Sequence, residues 1–401
     1  MNLWPIADDG AAAIQRGLEA VSLPLRDRLA PTNGTFGVGL WLPAATAARL
    51  AASPDERRGL IEFLVAERLD AFTFNAFPSG DFHRAGLKEA VFLPDWATTA
   101  RADFTRHVAQ FGFEVARAAK WGPTRHLSIS THTGAHRGNL GLGDLALTVF
   151  RERAVRQMVA TMGSLAASAD AVPLVLGLEP EPRSLAGDTR ELAALFDALD
   201  EAESEAGLAE RAPNIGVCLD ACHAAVEFET VDAARARALG LVRARPRPLA
   251  KLQFSSALTL ERPGADPAGF AALLALDEPV YLHQVTGSGS TGLRRAADLG
   301  ELREDSEPWL ALDELRCHFH VPVDLERRAG LGTTSAFAGE LLRAILAAPE
   351  QWGTSELHVE IETYTWSLGG VGPGLVDGIE AEYRHVIALL EAAGWSLSGG
   401  T

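Results

Sequence analysis

Short apolar runs alternate along the chain with longer stretches of helical period. The short runs are rich in β-branched and aromatic residues and span 37–42, 71–77, 126–131, 173–179, 214–220, 249–255, 315–323 and 357–363. The longer stretches are rich in Ala, Leu, Arg and Glu and span 44–68, 99–119, 146–169, 188–205, 231–240, 335–347 and 377–394. Near-continuous apolar strands separated by amphipathic helices indicate parallel strands covered by helices.

Eight or nine such units without a clear linker favour a closed barrel over an open sheet. We predict an α/β fold, a TIM (β/α)8 barrel that forms a single domain over residues 1–401. Residues 1–5 could supply the first strand, ahead of a helix at 11–29, and a later segment would then be an insertion. Residues 257–313 are the best candidate, because they are rich in Gly, Pro and Asp and weakly periodic. Loops of this length usually serve a binding function.

The charge of the chain argues against two classes of binding partner. The 401 residues carry 53 acidic and 36 basic side chains, a net charge of −17, and the basic residues are dispersed. Nucleic acids and anionic membranes both need a concentrated positive face, so the sequence disfavours both as partners. No apolar run reaches the length of a membrane span, and residues 1–10 lack the features of a secretory signal.

Cysteine usage points to the compartment. The three cysteines, Cys218, Cys222 and Cys317, provide no disulfide framework and fit a reducing environment. We therefore expect a cytoplasmic protein that acts on a small molecule, and the sequence leaves its oligomeric state open.

Polar residues stand where two of the apolar runs stop, which is where barrel enzymes place reactive groups. In LGLEPEP, Glu179 ends a strand and Glu181 follows it. A carboxylate in that place must be paired or face a site, because burying it alone is costly. In GVCLDACH, Asp220 closes the next strand and His223 comes three residues later, and both are good ligands for a divalent ion. A role as helix N-cap would explain Asp220 but would leave His223 unexplained.

Three later strands carry further candidates. Gln253 in KLQFSSA could bond a neighbouring strand or offer a carbonyl oxygen to a metal. His318 and His320 in CHFHVPV share one face of a strand, and so do Glu360 and Glu362 in HVEIETYTW. Two carboxylates that point into a barrel repel each other unless they share a cation or a proton. The glutamate pair is therefore the strongest single indication of a metal in the sequence.

Weaker candidates could line a substrate pocket or stabilise a loop. As substrate-binding residues the sequence suggests Asn75, His83, His132, Glu181, His283, Glu360 and Trp366. The signal becomes more specific in combination, because acidic and amide residues fall on successive strand ends in one chain order.

That order resembles the xylose isomerase-like TIM-barrel superfamily, which includes sugar isomerases and epimerases, 3-dehydroshikimate and inosose dehydratases, and endonuclease IV-type enzymes. The resemblance implies a metal held by Glu179, Asp220, Gln253 and Glu362. His223 matches the histidine that follows the aspartate in many members. The pair His318 and His320 resembles the extra ligand pair of endonuclease IV-type members.

A closer resemblance spans roughly residues 30 to 395. The strings FNAFPSGDFH, LEPEP, CLDACHAAVEFE, KLQFSSAL, DEPVYLHQV, HFHVPV, LGTT and EIETYTW are similar to the EboE family of metabolite traffic proteins from bacterial ebo-type gene clusters. Such clusters also encode a prenyltransferase, a sugar phosphate cyclase-like enzyme and a TatD-like hydrolase. The resemblance implies processing or export of a small precursor, with products of neighbouring genes as partners. Trp4 stands where EboE-like chains tend to have a histidine.

Three functions fit these residues. In the first, one divalent ion (Mn, Mg or Zn), with room for more, would chelate a polyol or cyclitol in an isomerase, epimerase or related lyase. Glu179 and Glu362 would be its catalytic bases, and His223 would steer protons. In the second, the additional histidines would support several ions and the hydrolysis of a small phosphoester. In the third, the barrel would bind and hand over a metabolite without turnover.

Overall fold

The computed structural model describes residues 10–31, 34–80, 86–141, 143–168, 172–208, 214–368 and 374–396. Its strands are β1 (Phe36–Trp41), β2 (Leu69–Asn75), β3 (Leu127–His132), β4 (Leu174–Glu179), β5 (Ile215–Asp220), β6 (Leu249–Phe254), β7 (Ser256–Glu261), β8 (Val285–Gly289), β9 (Gly292–Ala296), β10 (Glu314–Val321), β11 (Arg327–Arg328), β12 (Leu331–Thr333) and β13 (Val359–Ile361).

The α-helices of the described residues are α1 (Ala11–Gly17), α2 (Leu23–Leu29), α3 (Ala44–Ala52), α4 (Pro54–Ala66), α5 (Thr99–Ala118), α6 (Arg137–Leu140), α7 (Asp144–Ser168), α8 (Thr189–Glu205), α9 (Ala221–Val226), α10 (Val231–Ala238), α11 (Pro267–Leu274), α12 (Leu299–Glu304), α13 (Glu307–Leu310), α14 (Ser335–Leu346) and α15 (Leu375–Ala392). A π-helical segment, Leu18–Ser22, joins the first two. Single 3-10 segments lie at Lys88–Phe92, Pro349–Gln351 and Thr365–Leu368.

Seven strands pair in the order β1-β2-β3-β4-β5-β6-β13, and every pairing is parallel. The two edges approach each other, because a methyl group on Gly39 of β1 would overlap the carboxylate of Glu360 on β13. Across the interior, Ser128 Oγ of β3 lies 2.8 Å from Nδ1 of His358, which is next to β13. The chain therefore forms an α/β barrel of the TIM type, as predicted, with seven parallel strands in its described part. The predicted first strand at 1–5 lies outside the described residues.

The main core lies between these strands and the surrounding helices. All six residues of β4 are buried, as expected for a parallel strand with a helix outside and side chains inside the barrel. Leu176 and Leu178 of β4 belong to the same apolar cluster as Leu192 and Phe196 of α8. That helix begins where the side chain of Asp188 accepts a hydrogen bond from the backbone N–H of Glu191, so its start is fixed next to the mouth of the barrel.

The segment 256–333 forms a second sheet with strand order β11-β12-β7-β10-β8-β9, and all its pairings are antiparallel. It has its own apolar cluster, which includes Leu258, Phe270, Val285 and Leu315. The insertion predicted at 257–313 is present but extends further along the chain. The apolar run at 315–323, which the sequence predicts as a barrel strand, is β10 of this second sheet. Apolar patterning identifies a strand but carries no information on its direction or partners.

Candidate metal centre

A pocket lies at the carboxyl ends of β4, β5, β6 and β13, beside β10 of the insertion. Its volume is about 80 Å³, which is room for a handful of water molecules. Larger cavities of about 380 and 470 Å³ lie at the opposite end of the barrel, away from the residues described below. The pocket is lined by Asn75, Phe77, Pro78, Leu87, Lys88, Val91, Glu179, Glu181, His223, Gln253, Val280, Tyr281, Leu282, His318, His320, Glu362 and Tyr364.

Three carboxylates converge at this pocket. One oxygen from each of Glu179, Asp220 and Glu362 lies within 4.8 Å of the other two. Burial raises the pKa of Glu179 well above its ordinary value, and the charges of Glu362 and Asp220 raise it further. Burial and the charges of Asp220 and Glu360 likewise raise the pKa of Glu362. Such crowding is unfavourable unless protons or a cation compensate it.

Three histidines flank these carboxylates, and each commits its Nδ1 atom to a carbonyl oxygen. His223 Nδ1 lies 2.9 Å from the carbonyl oxygen of Pro180, and His320 Nδ1 lies 3.0 Å from that of Glu362. His318 Nδ1 lies 2.5 Å from the side-chain oxygen of Gln284. A carbonyl oxygen can only accept, so each Nδ1 carries a proton, and the Nε2 atom of a neutral ring presents a lone pair. Metal-binding histidines are commonly oriented by such a contact.

The three Nε2 atoms lie close to one another and to Asp220. His223 Nε2 and His318 Nε2 lie 3.2 Å apart, which is a hydrogen bond if one ring carries a second proton and otherwise places two lone pairs side by side. His320 Nε2 is buried without a hydrogen-bond partner and lies 4.0 Å from Asp220 Oδ2, which also has none. Burial lowers the pKa of His320 to about 4 and that of His318 well below its usual range, so both rings are neutral at pH 7.

The two carboxylate oxygens of Asp220 have different roles, one in capping a helix and one in the candidate site. Oδ1 accepts from the backbone N–H of His223 and from the hydroxyl of Ser255, both at 2.8 Å, so it caps α9. Oδ2 is the oxygen that faces His320. The N-cap and the ligand interpretation of this residue are therefore compatible, and a donor set of imidazoles and a carboxylate suits a divalent ion.

The amide of Gln253 is oriented differently from a metal-binding carbonyl. Its nitrogen donates to the carboxylate of Glu362, and its oxygen lies 2.5 Å from the sulfur of Cys218. In this orientation Gln253 positions Glu362 and offers no oxygen to the carboxylate cluster.

Below the pocket, a buried lysine neutralises one of the predicted site residues. Lys251 Nζ lies 2.5 Å from Glu360 Oε2 and 2.6 Å from Asn75 Oδ1. Burial lowers the pKa of Lys251, but the contact with Glu360 outweighs it and the pKa is raised. Glu360 and Glu362 share a face as predicted, but the cation beside Glu360 is Lys251. Glu360 thus lies beneath the pocket and is not one of its lining residues.

Among the other predicted substrate-binding residues that the structure describes, Glu181 lines the pocket, whereas His132, His283 and Trp366 do not. Glu181 lines the pocket near His318, and burial raises its pKa to about 7. His132 packs against Phe77 and Phe92 and is not itself a lining residue. His283 contacts Glu278 at 3.2 Å, and Trp366 donates to Glu382 at 3.1 Å. His83 lies outside the described residues.

Several residues of the site were not singled out from the sequence. Tyr281 and Tyr364 form one wall, with ring centroids 5.0 Å apart, and Tyr364 also packs on the ring of His320. Lys251 lies two positions before Gln253 in one strand, so period-two alternation could have placed both inside the barrel. No comparable signal marks the tyrosines, because they lie outside regular strands.

Comparison with known proteins adds little to this geometry. No family of proteins and no curated protein sequence matches the chain. Among solved structures, the chain is similar to the probable 3-DHS dehydratase AsbF involved in petrobactin synthesis from Bacillus anthracis, with 14% identity and a TM-score of 0.42 over 91% of this chain and 92% of that one. A likeness this distant carries no information on reaction or substrate, and the EboE resemblance stays a prediction. None of the described helices is long and apolar enough to cross a membrane.

Proposed function

We propose that the chain is a divalent-metal-dependent isomerase, epimerase or related lyase acting on a small polar metabolite of the sugar or cyclitol type. The observation that carries the proposal is the convergence of three imidazole Nε2 atoms and an unpartnered carboxylate oxygen in one buried place. His223, His318, His320 and Asp220 would hold the ion. A bound divalent ion would polarise a substrate oxygen and lower the barrier to removing a proton from the adjacent carbon.

Two carboxyl groups then remain for proton transfer. Glu179 and Glu362 both reach the pocket, and the amide of Gln253 fixes the position of Glu362. One would take the proton from carbon and the other would return it, or would protonate a leaving hydroxyl in a lyase. The rings of Tyr281 and Tyr364 would pack against the apolar face of the substrate.

The lining favours an uncharged substrate. Lys88 is the one lysine or arginine in the described part of the lining, and its Nζ is held by the carbonyl oxygens of Glu278 and Tyr281 at 2.8 Å. The same atom lies 2.7 Å from Asp298. A phosphate would therefore find no uncommitted cation among these residues.

The test combines metal analysis with a proton-exchange assay. Elemental analysis of the purified protein should find about one ion per chain, with Zn favoured by the imidazoles. Sugars and cyclitols incubated with the protein in D2O should gain deuterium at one carbon, seen by proton NMR. Asp220→Asn should lose the metal, Glu362→Gln should keep the metal and lose the exchange, and Glu356→Gln at the opposite barrel end should keep both. A protein that binds no divalent ion would contradict the proposal.

A second candidate function has its own observation. Asp220 belongs both to the carboxylate cluster and to a group with His223 and His320, and a further group joins Glu181, His223 and His318. Overlapping groups of this kind favour two or more ions and the hydrolysis of a phosphoester. Two or three ions per chain with release of phosphate from p-nitrophenyl phosphate would support this alternative over the first.

The EboE resemblance supports a place in an ebo-type pathway of metabolite processing or export. The protein would then receive its substrate from enzymes encoded nearby. Tight retention of a cell metabolite without deuterium exchange would support a binding and traffic role over catalysis.

A further inference from the structure

A second polar cavity lies on the rim of the barrel, apart from the metal centre. It has a volume of about 250 Å³ and is bounded by the segments that follow β3, β4 and β5 and by β9 of the insertion. The side chains that matter here are His136, Arg137, Arg183, Glu227 and Arg295. None of them takes part in the site proposed above.

His136 lines this cavity and carries a buried donor. The residue is 1% exposed, and its Nδ1 atom accepts from the backbone N–H of Gly138 at 3.2 Å. An Nδ1 atom that accepts leaves the proton on Nε2. Nε2 has no hydrogen-bond partner in the described residues, so an N–H group is buried without an acceptor. Such a group is costly unless a ligand or water satisfies it.

Arg183 contributes a second unsatisfied donor. Its Nη2 atom contacts Glu227 Oε1, while its Nε atom is buried and has no partner among the described residues. Glu227 also accepts from Arg295 Nε at 2.8 Å, so two guanidinium groups share one carboxylate. Burial and the neighbouring Arg295 and Arg137 lower the pKa of Arg183, whereas Glu227 raises it. The pair of arginines therefore has one more positive charge than its counter-ion.

The acidic groups around the cavity are mostly engaged. Arg137 pairs with Glu191 at 2.7 Å, and Arg190 lies 3.4 Å from Asp188, which caps α8. Glu89 is the remaining carboxylate of the lining, and its charge acts on His136. It would oppose an anion and so offers a way to test the sign of the ligand.

We propose that this cavity binds an oxyanion group of a small metabolite, a phosphate or a carboxylate. The oxygens would accept from His136 Nε2 and Arg183 Nε and would balance the charge of Arg295. Oxyanions suit such a place because their hydrogen bonds to guanidinium groups are charge-assisted. The site is separate from the metal centre, so its occupancy does not depend on the proposed reaction.

Calorimetric titration of the purified protein with inorganic phosphate, and separately with malonate, at low ionic strength tests the inference. We expect saturable binding of one anion per chain to this cavity. Arg295→Met, which removes the balancing positive charge, and His136→Asn, which removes a buried donor, should each weaken it roughly tenfold or more. Arg303→Met removes the same charge from the same insertion without touching the cavity, so it should change the affinity less than about twofold.

A separate variant tests the sign of the charge on the ligand. Glu89→Gln removes the opposing charge and should tighten binding, whereas a cationic or neutral ligand would be unaffected or weakened. Binding of phosphate but not malonate would identify a phosphorylated metabolite, and binding of both a general oxyanion site. Absence of saturable binding up to about 50 mM, well beyond the range of specific sites, would overturn the inference. So would binding that survives in both Arg295→Met and His136→Asn.

Discussion

Each histidine of the candidate metal centre uses its two ring nitrogens for different contacts. The Nδ1 atoms of His223, His318 and His320 donate to carbonyl oxygens, which fixes the tautomer, and the Nε2 atoms face one another and Asp220. The sequence could indicate that two histidines share a strand face. It could not indicate which nitrogen would be committed, because the carbonyl partners come from three distant segments.

For the glutamate pair at the last barrel strand, the sequence predicts the geometry but not the compensating cation. The shared face of Glu360 and Glu362 follows from strand alternation, and the need for a compensating charge follows from electrostatics. Which cation answers that need depends on the neighbouring strand, where Lys251 approaches Glu360. Local sequence therefore predicts that a compensating charge is needed, and the order of strands in the sheet determines which residue supplies it.

Lys251→Met should destabilise the barrel strongly. The substitution leaves Glu360 buried without its cation, and loss of one partner from a buried pair costs about 3–5 kcal/mol. Urea unfolding would measure the loss, and the double variant with Glu360→Gln should recover part of it because no buried charge remains. Arg58→Met, which removes an exposed side chain, serves as the control. A double variant no more stable than Lys251→Met would contradict the proposed coupling.

At the level of elements, the alternation of apolar runs and helical stretches was enough to place seven of the eight predicted strands in the parallel sheet. The eighth, at 315–323, belongs to the insertion, where β10 pairs antiparallel with β7 and β8. Its burial alternates at first and then becomes continuous, where the chain reaches the metal centre. Direction and partner are set by contacts with residues far away along the chain, such as the pairing of Glu314 with Glu261.

A histidine stack joins two barrel strands at the end opposite the metal centre. His126 precedes β3 and His358 precedes β13, and their rings are parallel within 9° with centroids 4.0 Å apart. Burial and the neighbouring His358 lower the pKa of His126 to about 4, and burial also lowers that of His358. Contacts with His358 and Arg125 outweigh burial and lower the pKa of Glu356 beside them to about 2, so its carboxylate stays ionised while His126 titrates.

This stack should make stability depend on pH. In the unfolded chain a histidine titrates near pH 6.5, whereas folded His126 titrates near 4, so the unfolded state binds more protons between these values. The contribution of His126 is therefore complete above pH 6.5 and is lost as the pH falls toward 4. Replacement by glutamine, whose amide can still donate to Ala250, should reduce the loss of unfolding free energy between pH 7 and 5 by about 2 kcal/mol.

Urea unfolding at several pH values would measure the effect of His126→Gln. Between pH 7 and 8 the imidazole is neutral in both states, so wild type and variant should run parallel there, which provides an internal control. Equal slopes below pH 6.5 would show that the stack does not contribute to the acid sensitivity.

At the scale of the whole molecule, the candidate metal centre lies where two separately packed bodies meet. Asp220 and His223 follow a barrel strand, whereas His318 and His320 lie on β10, which packs in the apolar cluster of the insertion. An ion held by both would stabilise their contact. The sequence indicated the insertion and the histidines separately, and the fold brings them to the same rim.

Hydrogen exchange measured by mass spectrometry would test this joining. At a metal concentration about 100 times the dissociation constant, binding should stabilise the site by about 2.7 kcal/mol. Amides of β10 and of the turn from β5 into α9 should then exchange up to about 100-fold more slowly when opening of the site limits their exchange. Asp220→Asn should show no such protection, and β1 and β2 should be unaffected in either protein. Protection confined to one of the two bodies would contradict a shared ion.

The division of the proposed metal ligands between barrel and insertion also has a consequence for how such a protein can evolve. The strands that carry the acid–base groups are bound into the main core and tolerate little variation. The insertion packs around its own cluster, so its loops can be lengthened or exchanged while the barrel persists. New chemistry would then arise by altering which imidazoles are brought to an unchanged set of carboxylates.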